Sequence, residues 1–308
     1  MSRHDTSDLI FRRVLAVFPI SILILVAGIL FQLVFSSLPS LHKSGIGFLF
    51  NSTWDPVNEN FGALPFIFGT CVTSLVALLL AVPVGVGAAI YLAEYAPPMV
   101  SKVISVLVDL LAAIPSVIYG LWGIFVLVPC MRQDIQPFLG KYLGFLPFFQ
   151  GPNYGVGILA ASIMLAIIII PFIISVSREV LLAVPQVYRE SAYALGATRW
   201  EALSNIVLSH GKVGILGAVI LALGRAIGEV MAVTMIIGNN VKISASLFSP
   251  GYTLASVIAN EFAEADTNLY LSALIEIALV LFLVSIIVNI LARLLIWKVT
   301  GGEAKDAK

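Results

Sequence analysis

The chain has 308 residues, 60% of them hydrophobic and only 11% charged, and its basic and acidic side chains balance at zero net charge. Ordinary soluble domains carry roughly 25% charged residues. With a mean hydropathy of +1.04, this chain cannot clothe a globule in water-compatible surface, so the lipid bilayer must be its solvent over much of it. The zero balance excludes nucleic acid as a partner, which calls for a clustered basic face.

In chain order, Arg12 and Arg13 precede an apolar run from Val14 to about Phe35. A secretory h-region is usually 7–15 residues and a spanning helix needs about 20, so this run reads as an uncleaved first span. Five further runs are long enough to cross, at about 64–93, 103–130, 155–177, 213–238 and 270–297. The second holds Pro83, Gly85 and Gly87, and the third Pro115 and Gly120. Such breakers survive where neighbouring helices satisfy the freed backbone groups, which makes these helices bundle-facing. Six spans with both termini cytoplasmic put Arg3, Arg12, Arg13, Lys102, Arg178, Arg189, Arg199, Lys212, Arg293, Lys298, Lys305 and Lys308 inside. Only Lys43, Arg132, Lys141 and Lys242 fall outside, the asymmetry expected of cytoplasmic loops.

Of the outer loops, 36–63 is polar, and 131–154 is rich in Phe, Pro and Gly and suits the membrane interface. In 239–269, Thr253 followed by Leu254, Val257, Ile258 and Phe262 predicts an N-capped short helix. Glu261, Glu264 and Asp266 near its end read as a solvated loop end or a docking patch for a soluble partner. Cys71 and Cys130 read as buried single thiols. His4, His42 and His210 are scattered and suggest no metal site.

The segment from about Ser177 to Lys212 is too polar to span and too patterned for a linker. Pro185 suits a helix entry, Gly196 interrupts the periodicity, and Thr198 can start a second helix. Two short helices at an angle make a rigid knob fit to contact a cytoplasmic partner. Glu190-x-Ala192, Gly196 and Ile206-x-Leu208 match the spacing of the EAA loop, and the segment resembles that loop of ABC importer permeases. Ser191 and Ser209 depart from the family's Ala and Pro, the second loosening the expected turn into the fifth span. Further stretches are similar to the phosphate importer permeases of PstC type. They are Ala81-Val-Pro-Val-Gly-Val-Gly-Ala-Ala-Ile-Tyr-Leu-Ala-Glu-Tyr95, Ile114-Pro-Ser-Val-Ile-Tyr-Gly-Leu-Trp-Gly123, Ala222-Leu-Gly-Arg-Ala-Ile-Gly-Glu229 and Thr253-Leu-Ala-Ser-Val-Ile-Ala-Asn-Glu261.

The resemblance implies an all-α, six-helix integral membrane bundle with the type I (MetI-like) importer permease fold. It implies an EAA loop that docks on cytoplasmic ATPase subunits, a second, PstA-like permease subunit, an extracytoplasmic phosphate-binding protein, and inorganic phosphate as cargo. The expected organisation is an N-terminal tail, first span and outer loop over 1–63, a permease core over 64–300 with the coupling loop at 178–212, and a tail over 301–308.

Ionisable residues at membrane depth cost roughly 2.5–3.5 kcal/mol each on insertion scales and mark functional sites. Arg225 lies about twelve residues, roughly 18 Å at 1.5 Å per residue, into the fifth run. Glu229, four residues on, would share its helix face. The pair reads either as a packing ion pair or as part of an anion path, since a guanidinium fork fits phosphate oxygens. Asp109 and Glu276, nearer the ends of their runs, read as structural. Gly214, Gly217, Gly224 and Gly228 would let another helix approach the fifth span. No phosphate-cradling Gly-x-x-x-x-Gly-Lys-Ser/Thr motif occurs, so the chain is expected to be no enzyme, to hold no cofactor, and to rely on a separate ATPase. Rival readings are a permease for another oxyanion such as molybdate or sulfate, a stand-alone ion-coupled anion carrier, and a membrane anchor or sensor subunit.

Overall fold

The structure, a computed structural model, describes residues 3–299. Helix α1 (Arg3–Ser44) is followed by a turn of helix at Gly47–Phe50 and then by α2 (Leu64–Tyr95), whose last turn, Tyr91–Tyr95, widens to π-helical geometry. Then come α3 (Pro98–Ala112), α4 (Ser116–Leu143), α5 (Ile158–Leu182), α6 (Gln186–Ala194), α7 (Arg199–Ile227), α8 (Met231–Ile236), α9 (Leu254–Glu261) and α10 (Asn268–Val299). Six of these, α1, α2, α4, α5, α7 and α10, are long and apolar enough to cross a membrane. The shortest, α5, has 25 residues, roughly 38 Å at 1.5 Å per residue, more than the roughly 30 Å of hydrocarbon.

The count agrees with the sequence, but two spans move. The third begins at Ser116 rather than 103, because Pro115, which has no N–H to donate, closes α3 and opens α4. It continues as helix to Leu143, so the first part of the expected loop 131–154 is helical. Asp109 therefore lies on α3, outside the spanning helix. Ser101 on α3 donates to the carbonyl of Leu92 and accepts from Arg178, while Asp109 accepts from Ser175 Oγ at 2.9 Å. Ile104 and Val108 of α3 pack with Ile170 and Ile174 of α5.

The fifth span also differs. It starts at Arg199 and ends at Ile227, where Gly228 caps it, and α8 is a separate element.

The most buried span is α5, with Leu165, Ile169 and Ile173 packed against Ala77 and Ala81 of α2 and Ala222 and Ala226 of α7. Gly85 of α2 is where α5 comes closest: a Cβ there would meet the side chain of Ile173 at 2.8 Å. α1 packs along α10. The Ser272 hydroxyl of α10 donates to the carbonyl of Ser36 and accepts from the N–H of Ser40, which inserts it into the α1 ladder beside Pro39. Glu276, one turn on, is buried, and its Oε2 has no partner among the described residues.

At the end of the bundle opposite α6, α9 forms as expected, capped by Thr253 in a reciprocal pair with Ser256. At its polar end Glu264 and Asp266 are exposed, but Glu261 is tied into the fold. Glu261 Oε2 accepts from Trp54 Nε1 at 2.6 Å and from the Tyr270 hydroxyl at 2.8 Å. This network joins the 47–61 loop to α9 and α10 over a core of Phe48, Phe61, Phe66 and Leu254. Cys71 and Cys130 are exposed on this chain rather than buried.

Candidate functional site

The knob is built by local rules. α6 starts directly after Pro185 and ends in a Schellman turn. Gly196 N–H donates to the carbonyl of Tyr193, and Ala197 N–H to that of Ala192. Gly196 sits at φ +85°, the left-handed region, with open space around it. One residue after Ala197, Thr198 caps α7 in a capping box with Glu201. The predicted stop at Gly196 and restart at Thr198 are both present. The second helix is not a separate short one: it runs on through a π-helical turn at Leu203–Val207 into the fifth span. No turn therefore occurs at Ser209, which lies inside the helix.

Of the motif residues, Glu190 is exposed, Ala192 is buried against the bundle, and Ile206 and Leu208 are half-buried. The tip presents Tyr193, Leu195, 89% exposed, and Trp200. Beneath it, Leu181, Val184, Leu203 and Val207 pack with Ala89 of α2, and Tyr188 stacks on His210 with ring centroids 4.8 Å apart. Arg189 donates to Glu94 at 2.6 Å and to the carbonyls of Leu181 and Val184. Neither Glu94 nor Arg189 was singled out by sequence reasoning. Glu94, an acid closing the second apolar run, was the available signal.

The expected Arg225–Glu229 ion pair is absent. The helix ends at Ile227, so Glu229 leaves the face that carries Arg225. The ion pairs among the described residues lie elsewhere, at Lys43–Glu59, Arg178–Glu179 and Arg189–Glu94. Arg225 is exposed. Gly217, Leu221, Gly224, Arg225 and Gly228 follow helical spacing along one open face of α7, and a Cβ at Gly217 or Gly224 would meet nothing within 4 Å. Gly214, by contrast, packs on Val180 of α5.

Residues 81–300 match the model of the binding-protein-dependent transport system inner membrane component family. The chain belongs to that family. It is 47% identical over 300 residues to the phosphate transport system permease protein PstC of Haemophilus influenzae, covering 96% of this chain and 95% of the relative. It is 38% identical over 283 residues to the probable PstC of Methanocaldococcus jannaschii, covering 90% and 89%. Among solved structures, a chain of a bacterial alginate ABC transporter, in complex with a pentasaccharide-bound periplasmic protein, superposes with a TM-score of 0.60 at 15% identity, over 93% and 94% of the two chains. A chain of the inward-facing MetNI methionine ABC transporter gives 0.56 at 16% identity, over 76% and 94%. The fold is thus that of the MetI-like importer permeases, and this member is a multi-pass inner-membrane protein of the PstC type.

Proposed function

We propose that this permease carries inorganic phosphate inward as one of two membrane subunits of an ATP-driven importer. Its PstA-like partner completes the pathway, one of two ATPase subunits docks on the knob, and an extracytoplasmic binding protein delivers the phosphate. The observation that carries the coupling role is the knob itself. α6 is anchored on the bundle while Tyr193, Leu195 and Trp200 are exposed. Contiguous exposed apolar side chains mark protein contact sites. ATP-driven closure of the ATPases moves α6, and the bundle alternates access by rigid-body motion. The open face of α7 with Arg225, and Glu229 just beyond the helix end, line the anion path against the second subunit. Residues 64–300 form the working core and 178–212 the coupling loop.

The knob is tested by cross-linking. Cysteine at Ala194 or Leu195, both exposed, is expected to cross-link to the ATPase subunit, whereas cysteine at the buried Ala192 is not. Cross-linking at none of the exposed positions in the assembled importer removes the coupling role. Competition decides the cargo: excess molybdate or sulfate should leave phosphate uptake unchanged, and strong inhibition by either would reassign it to that oxyanion.

Orientation is tested separately. Reporter fusions after residues 50, 145 and 250 are expected to read outside, and fusions after 98, 195 and 305 inside, following the Lys and Arg asymmetry. An inside signal at 250 would invert or break the six-span arrangement.

A further inference from the structure

The Arg189 guanidinium joins three elements at one point. Its Nε lies 3.2 and 3.3 Å from the two Glu94 oxygens, and its Nη2 2.6 Å from Oε1. Nη1 donates to the carbonyl of Val184 and Nη2 to that of Leu181. Arg189 belongs to α6, Glu94 to the π-helical last turn of α2, Leu181 to the end of α5 and Val184 to the link between α5 and α6. The side chains are 15% and 13% exposed, whereas the other two ion pairs expose 48% and 40%, and 20% and 70%. Arg189 thus holds the carbonyls of Leu181, in the last turn of α5, and of Val184, in the link to α6, together with the acid of α2.

Chain connectivity makes this point distinctive. α6 is bonded covalently to α5 through Ala183–Pro185 and to α7 through Leu195–Thr198, but α2 is far away in sequence. α2 packs along α5 through Ala77, Ala81 and Gly85, and its last turns reach the knob through Ala89, Ile90 and Ala93 and through Glu94, its charged contact with α6. Apolar contact is non-directional and permits sliding. A forked, charge-assisted contact fixes both distance and orientation.

We infer that Arg189 and Glu94 form the strut that transmits displacement of α6 directly into the last turn of α2, so that this end of α2 follows α6 when the knob is pulled. The strut rests on the proposed docking of the ATPase at the knob. Arg189 and Glu94 are positioning residues, and neither touches the cargo. If the strut is cut, the ATPases still dock and cycle, but the bundle follows incompletely.

The experiment uses the complete importer, with its second permease, ATPase subunits and binding protein, reconstituted in phospholipid vesicles. Phosphate taken up per ATP hydrolysed is measured alongside the cross-link from Ala194→Cys to the ATPase. Glu94→Gln preserves shape and removes the charge. It is expected to leave hydrolysis within about twofold of wild type and to lower phosphate per ATP about tenfold, the low end for losing a hydrogen bond to a charged group. Arg189→Lys keeps the charge without the fork and should fall between the two. A parallel fall of uptake and hydrolysis, or an unchanged ratio in Glu94→Gln with the cross-link intact, overturns the strut alone. Failure of the cross-link in the otherwise unaltered chain overturns the docking role and the strut with it.

Discussion

Phosphate uptake per assembled importer is expected to fall ten- to a hundredfold in Arg225→Gln, with ATP hydrolysis and assembly retained. The magnitude corresponds to about 1.5–3 kcal/mol for hydrogen bonds to a charged group. Arg225 is exposed on the open face of α7, and no acidic side chain among the described residues pairs with it. Removing it strands no buried carboxylate, so the roughly 3–5 kcal/mol penalty of breaking a buried pair does not apply. The guanidinium is free to present its fork to an anion. Arg225→Lys keeps the charge and loses the fork, and intermediate uptake is expected. Because Glu229 lies beyond the helix end, the double variant Arg225→Gln, Glu229→Gln should transport no better than Arg225→Gln. Sites without a shared contact add independently. The deciding measurement is uptake by the double variant in vesicles, normalised to assembled complex. Wild-type uptake there would remove Arg225 from the anion path.

Gly196→Val is the second large effect. At φ +85° with no neighbour within 4 Å, the position is spatially open and conformationally closed to a β-branched residue. The strain is about 1–3 kcal/mol. It is relieved by opening the Schellman turn, which frees the carbonyls of Ala192 and Tyr193 and swings α6 relative to Thr198. Docking of the ATPase is then expected to weaken about tenfold, since each 1.4 kcal/mol is a factor of ten. Gly196→Asn, which tolerates the left-handed region, should lie close to wild type. Co-purification of the ATPase subunit with each variant is the check, and equal recovery from the Val and Asn variants would sever the turn from docking.

The six spans, the stop at Gly196, the restart at Thr198 and the cap at Thr253 were all legible in the sequence. Each depends on residues within a turn or two, or on an apolar content that adds up along the run. Hydropathy records the surroundings of a segment, not its direction. It therefore joined α3 to the third span across Pro115 and carried the fifth span past its end at Ile227. The same limit produced the Arg225–Glu229 pair, a four-residue spacing that needs an unbroken helix to become a contact. Only the tertiary structure decided which polar groups meet. Trp54 reaches Glu261 across 207 positions, and Arg189 reaches Glu94 across 95. Ala192 and Leu195 read alike as small or apolar residues of one knob, yet one is buried and the other 89% exposed. A polar group buried within a bundle needs a partner from whatever helix packs beside it. That neighbour is fixed by packing among α2, α5 and α7, which no local stretch of sequence encodes.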